Sequence, residues 1–296
     1  MGNKKQNKKI PILNDYIFKK IFGKKGNEEI LKDFLLGILE IPIEKIEVQT
    51  EVSLEKELEK NKLGRLDIVA ILDNRTIVNI EVQVVNQYNF IDRSLYYWAG
   101  NYYNNLNAGE EYQTTKKTIS VNILNYELIK DGECHEIVKL RRNWNNEILT
   151  DKLEMHYIQI PKFQKEKQKI NPKLEQWLYF ITQKEEGEVK RVMKENPEIK
   201  KANEEYEYLT GEEAERRIAF LREKAIKDEK SAILGAREEG IKEGIKEGIE
   251  EGRNVERKKQ IKMIKKMIKK GMTIEEVAEI SELEKEEIKK IKEGKI

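Results

Sequence analysis

The chain has 296 residues, 38% of them hydrophobic and 38% charged, which suits one large domain or two modest ones with long solvated helices around a real core. Its 57 Lys and Arg nearly cancel its 55 Asp and Glu, so net charge says nothing about nucleic acid. One cysteine, Cys134, and two histidines, His135 and His156, exclude an internal disulfide and a thiolate zinc site and weigh against a Ser-His-Asp hydrolase.

The opening MGNKKQNKKIPILND is basic, but no apolar run follows it, so it does not read as a signal peptide. Gln6 stands where a myristoylated Met-Gly start needs Ser or Thr. No run of about 18 apolar residues occurs, which excludes a spanning helix. The expectation is a soluble cytoplasmic protein with no membrane partner.

From Asn14 to Leu39 apolar residues recur at Ile17, Ile21, Phe22, Ile30, Leu31, Phe34, Leu35 and Ile38. That spacing is helical, and Gly23 and Gly26 break it into two helices. KIEVQTEVSLE (45–55) alternates as a strand does. Leu66 to Val84 reads as two apolar strands joined by the turn Asp73-Asn74-Arg75. The aromatic stretch 89–106 is helical, and 117–128 is a further strand. Residues 134–144 and 152–163 form one more strand pair. The order gives an α/β class fold with a mixed central sheet flanked by helices. PKLEQWLYFITQ (172–183) buries Leu174, Trp177, Leu178 and Ile181. A charged all-helical region with few apolar positions follows.

Within that region EEGIKEGIKEGIEEG places Gly240, Gly244, Gly248 and Gly252 four apart. Each interior Gly costs about 1 kcal/mol of helix propensity. Close approach of a partner helix on the Gly faces, with Ile241, Ile245 and Ile249, offsets that cost; a charged spacer is the plainer alternative. In the tail, Thr273 and Glu276 form a capping box. Two short helices follow, helix-turn-helix in outline but too acidic for a groove reader, so a small helical cap is favoured. The expected organisation is a core at 1–182, a charged helical extension at 183–231, a Gly/Ile helix and possible dimer contact at 232–270, and a helical hairpin at 271–296.

The hairpin carries unusual polar residues. A turn centred on Asn74 sets Val69 opposite Asn79, Ile71 opposite Ile77 and Asp67 opposite Glu81, with Gln83 on the same face. Two carboxylates that close repel unless a proton or cation lies between them. A hard divalent ion, magnesium with manganese or calcium as alternatives, resolves the conflict and takes oxygen ligands. Such a site suits phosphodiester hydrolysis. A solvated sheet face with ordinary charges is the bland reading.

These residues resemble the PD-(D/E)XK nuclease superfamily, and within it the recombination-promoting nuclease/transposase family, which carries Glu-x-Gln in place of Glu-x-Lys. The matching blocks are NDYIFKKIFG (14–23), GRLDIVAILDNRTIVNIEVQ (64–83) and DRSLYYWAGNYYNNL (92–106). The resemblance implies a metal-dependent DNA endonuclease of recombination or transposition. It implies Asp67 and Glu81 as metal ligands, Gln83 as the third catalytic position, and Asp15 as an outer-shell acid or a plain helix-start acid. Arg93 is a candidate phosphate contact, or else the partner of Asp92 or of a carboxylate near the site. Lys19, Lys20, Lys24 and Lys25 are a candidate basic rim for DNA, or a solvated helix face. The aromatic stripe Tyr96, Tyr97, Trp98, Tyr102 and Tyr103 is expected to be core rather than a stacking surface, and His156 structural. A catalytically weak DNA-binding protein, or a dimeric interaction protein on the same fold, is the alternative.

Overall fold

Asn14 starts the first helix: its side chain accepts from the backbone N–H of Ile17, satisfying one of the donors a helix start leaves open. The computed structural model describes residues 10–49, 68–86, 89–165 and 170–295. Helices α1 (Asp15–Phe22) and α2 (Glu28–Leu39) are separated at the two glycines, as their positions require. Strand β1 (Ile46–Gln49) follows; the rest of the strand expected to residue 55 lies outside the described residues.

Strands β2 (Ile68–Leu72) and β3 (Thr76–Gln83) form the expected hairpin. Asp73 and Asn74 both take positive φ, 49° and 56°, and Arg75 N–H donates to Leu72 O at 2.9 Å. That is the primed turn whose twist suits a hairpin, and Asp and Asn tolerate it best among residues with a Cβ. Asp73 Oδ1 also accepts from the N–H of Lys45 at 2.7 Å, tying the turn to β1. The register is Val69 to Asn79 and Ile71 to Ile77.

Helix α3 (Phe90–Tyr103) leads to β4 (Lys117–Leu124), then β5 (His135–Lys139) and β6 (Leu153–Gln159). The sheet runs β1-β2-β3-β4-β6-β5, with β3, β4 and β6 parallel and the other pairs antiparallel. One face, with Ile68, Ala70, Val78, Ile80, Ile119, Val121, Ile123 and Ile158, is apolar and belongs to the main core. The short helix α4 (Ile160–Phe163) and α5 (Pro172–Thr182) follow, and α5 buries Leu174, Trp177, Leu178 and Ile181 as expected. A Cβ on Gly37 would stand 2.7 Å from Leu174 N, so the backbones of α2 and α5 approach this closely only because that residue is Gly.

Helices α6 (Glu186–Glu195), α7 (Pro197–Gly211) and α8 (Glu213–Lys269) carry few apolar residues, yet those few are decisive. Val192, Ile199, Ala202, Tyr206, Leu209 and Ala219 all belong to the main core. Asp33 on α2 accepts from Lys173 Nζ at 2.5 Å, Trp177 Nε1 at 3.0 Å and Asn196 Nδ2 at 2.8 Å, clamping α2 to α5 and to the start of α7.

The chain divides into two compact units, residues 1–228 and 229–296. In the second, α9 (Ile274–Ser281) starts at the Thr273/Glu276 capping box, and α10 (Lys285–Lys292) starts at Glu284. Ile264, Val277, Ile288 and Ile291 form its buried centre. Glu282 takes φ 58°, filling the turn position where glycine is usual. No helix among the described residues is long and apolar enough to cross a membrane.

The aromatic stripe departs from expectation. On α3 only Phe90 and Ser94 are buried; Tyr96 and Tyr103 are exposed by 74% and 79%. The face of α3 toward the sheet is carried by Phe90 and, one and two turns on, by Ser94 and Trp98, whose Nε1 donates to Thr118 O at 2.8 Å. Tyr96 and Tyr103, seven residues apart, share the face turned outward.

The second histidine is structural. His156 is fully buried; its Nε2 meets Glu154 Oε1 at 2.8 Å and its Nδ1 meets His135 Nε2 at 2.8 Å. Burial, then the adjacent His156 ring, lowers His135 from 6.5 to about 4. Burial alone would raise Glu154, but hydrogen bonds from His156 and Lys117 outweigh it and hold Glu154 at about 2. Both groups take up protons less readily folded than unfolded. The His135 contribution is present above 6.5 and fades as pH falls toward about 4; that of Glu154 fades below 4.5. Between those limits His135 is expected to remove on the order of 2 kcal/mol, about 5 °C of melting temperature. Thermal melts across this range check it: His135→Gln should flatten the decline, and an equally steep decline in that variant would refute the assignment.

Candidate active site

Three neighbouring parallel strands set a polar row on the sheet face toward α3. Glu81 on β3 is in register with Asn122 on β4, and Asn122 with Tyr157 on β6. Residues in register share a face. Glu81 is 2% exposed and Asn122 fully buried, both in strands that are otherwise largely apolar. A buried carboxylate demands partners. Gln83, two residues on, donates through Nε2 to Glu81 Oε1. Arg93 on α3 brings Nη2 to the same oxygen at 3.5 Å, with its guanidinium carbon 5.0 Å from the centre of the Phe90 ring.

Other polar groups line this end of the sheet with capacity to spare. Arg93 Nε, Asn122 Oδ1 and the Tyr126 hydroxyl are buried and meet no hydrogen-bond partner among the described residues. Asn122 Nδ2 is occupied, donating to Ser120 Oγ at 3.2 Å and His156 O at 3.1 Å. The Tyr126 hydroxyl is raised by burial; Arg93 opposes that and Glu81 adds to it. Ser94 Oγ and the Tyr157 hydroxyl are 2.9 Å apart. Among buried polar groups such orphans are exceptions, and each keeps hydrogen-bonding capacity to spare.

Asp67, the other acid expected here, lies outside the described residues. Among the described residues no group of three His, Cys, Asp or Glu could hold a metal. The donor chemistry on hand is nonetheless all oxygen: the Glu81 carboxylate and the spare Asn122 amide oxygen. That suits magnesium or manganese rather than zinc.

The remaining expected residues are placed differently from one another. Asp15 opens α1 and accepts from Tyr16 N–H at 2.8 Å. Burial raises its pKa, against the pull of Arg222 and Lys19. No hydrogen bond joins Asp15 to Glu81 among the described residues. Lys19 is only 6% exposed, beside Asp15, so it does not stand on an outer rim. Lys20 and Lys24 reach Glu215 at 3.4 Å and Glu205 at 2.6 Å. Lys20 of α1 is therefore turned to an acid of α8 and Lys24, just past α1, to an acid of α7, while Lys25 is exposed; the expectation was an open basic rim or a solvated face. Arg93 takes the carboxylate-partner role with Glu81, not Asp92. Asn122, Tyr126 and Tyr157 had not been singled out. The signal for Asn122 was available: an amide in the middle of the apolar run ISVNIL.

Residues 12–236, roughly three quarters of the chain, match the family model described as PD-(D/E)XK nuclease family transposase. No curated protein and no solved structure matches the chain.

Proposed function

Since the chain belongs to the PD-(D/E)XK nuclease family transposases, we propose that it is a divalent-metal-dependent DNA endonuclease acting in recombination or transposition. The observation that carries this reading is the buried Glu81 carboxylate, held by Gln83 and Arg93 amid unsatisfied polar groups at the end of a hairpin with the expected register. Asp67, which precedes Ile68 in the chain, and Glu81 are assigned as the ligands. When bound, magnesium supplies a Lewis acid and a water of lowered pKa.

The protein's own groups have separate tasks. Gln83 orients the Glu81 carboxylate and offers the scissile phosphate a dipole where Lys would offer a charge. Arg93 would donate through Nε and the remainder of its fork to a phosphate oxygen. Asp15 is either an outer-shell acid or a plain helix-start acid. Tyr96 and Tyr103 are exposed enough to stack on bases. Because Gln83 and Arg93 already satisfy Glu81, a slow enzyme or a DNA-binding protein without turnover is the second reading. Nicking of supercoiled plasmid in magnesium, manganese and calcium separates the two: DNA binding with no nicking in any of them selects the second.

The same reading includes a homodimer through residues 232–270. Ile241, Ile245 and Ile249 are exposed by 52%, 59% and 53%, and a Cβ on Gly240, Gly244 or Gly248 meets nothing within 4 Å. In an isolated helix Gly→Ala at these sites adds about 1 kcal/mol of stability each. Across a close helix contact the same change pushes the partners apart. Gly244→Ala with Gly248→Ala is expected to raise the dimer dissociation constant at least tenfold by sedimentation. Monomeric wild type at high concentration removes the dimer.

A further inference from the structure

The last four turns of α8 carry a run of charge of one sign. Lys258, Lys259, Lys262, Lys265, Lys266 and Lys269 are all exposed, and Lys270 follows just past the helix end. At 100° per residue the six helical lysines fall within about 120° of the circumference. No acid lies between 257 and 271, and no ion pair engages any of these lysines among the described residues. The opposite side, Ile261, Ile264, Met267 and Ile268, packs into the core of the second unit with Val277, Ile288 and Ile291. Arg257, also on that side, is paired with Glu287.

An ordinary solvated face intersperses both signs, as the preceding turns 238–251 do with Lys242, Glu243, Lys246 and Glu247. Here three like-charge pairs stand four residues apart, 258/262, 262/266 and 265/269, each unfavourable to the helix. The macrodipole favours cations only in the final turn, here Lys266 and Lys269, which leaves Lys258, Lys259, Lys262 and Lys265 without that support. A stripe of one sign about 18 Å long matches the charge spacing of a phosphate backbone.

We propose that this lysine face is a second DNA-binding surface, contacting the phosphate backbone independently of base sequence. It lies beyond the residues 12–236 that match the family, and it rests on the proposed function only for the choice of polyanion. A membrane surface is the poorer partner, because an interfacial helix needs an apolar face free to enter the bilayer and this helix has its own buried. DNA contact runs through α8 rather than through α10, whose first turn holds Glu286 and Glu287.

The test uses the full chain without divalent metal, a labelled duplex of about 30 base pairs, and anisotropy across salt concentrations. Gln replaces Lys258, Lys262, Lys265 and Lys269 together, since Lys and Gln have similar helix propensity; Arg at the same four positions is the rescue. The Gln variant should bind at least tenfold more weakly at low salt. Its slope of log K against log salt should shrink by about 3.6, at roughly 0.9 for each of the four lost phosphate contacts. The Arg variant should bind as wild type does. Unchanged affinity and slope in the Gln variant overturn the proposal. So does an Arg variant as weak as the Gln variant, or lysine-dependent capture by phosphatidylserine vesicles with no duplex binding. Plasmid nicking by the same proteins keeps the two readings apart: lysine-dependent binding without nicking leaves the surface and removes the nuclease, and lysine-independent binding with nicking does the reverse.

Discussion

Glu81→Gln and Asp67→Asn are each expected to lower plasmid nicking in magnesium at least a thousandfold while the protein stays folded. Replacing one carboxylate by an amide removes the charge that holds a hard cation but keeps the shape and a hydrogen-bond acceptor. The choice of Gln over Ala at position 81 follows from the structure. Glu81 is buried and paired with Arg93, and removing one partner of such a pair leaves the other charge stranded. Glu81→Ala is therefore expected to lose about 2–4 kcal/mol of stability, or about 5–10 °C of melting temperature, besides its activity. Sequence alone suggests the opposite, a melting temperature unchanged or raised, because it sees only two repelling acids. Nicking by Glu81→Gln at the wild-type rate would refute the catalytic assignment.

Trp177→Ala should have the largest effect on stability of any single substitution considered. The ring is fully buried, with its centre 5.4 Å from Phe22, 5.5 Å from Phe34 and 5.9 Å from Phe180. Its Nε1 is one of the three donors on Asp33. Removing the indole empties a large volume that these rings cannot fill and leaves Asp33 a donor short. The expected loss is about 3–5 kcal/mol, about 10 °C in melting temperature. Calorimetry checks it; a shift of only two or three degrees would mean that α5 is not the keystone of this core.

What could be read in advance follows a physical division. The hairpin register was legible because Asp73 and Asn74 are turn residues and because a strand sends alternate side chains to opposite faces. The same alternation put Glu81 and Gln83 together. Burial of Leu174 and Trp177 was legible from helical spacing. Long-range pairing was not: Asp33 with Asn196, Lys24 with Glu205 and Glu81 with Arg93 each depend on tertiary approach that no local pattern encodes. The aromatic stripe misled because residues 96 to 103 circle the helix, and the sheet covers only one side of it. The sparse apolar residues of α6 and α7 looked like surface, yet Val192, Ile199 and Leu209 complete the core.

The most direct measurement is manganese binding followed by electron paramagnetic resonance, with wild type and Glu81→Gln compared in the presence of an uncleaved duplex. Quenching of the free-ion signal by wild type, with none by the variant, is the expected result. Equal quenching by both proteins, or cutting of DNA by wild type with every divalent ion chelated, would contradict a cation held by Glu81.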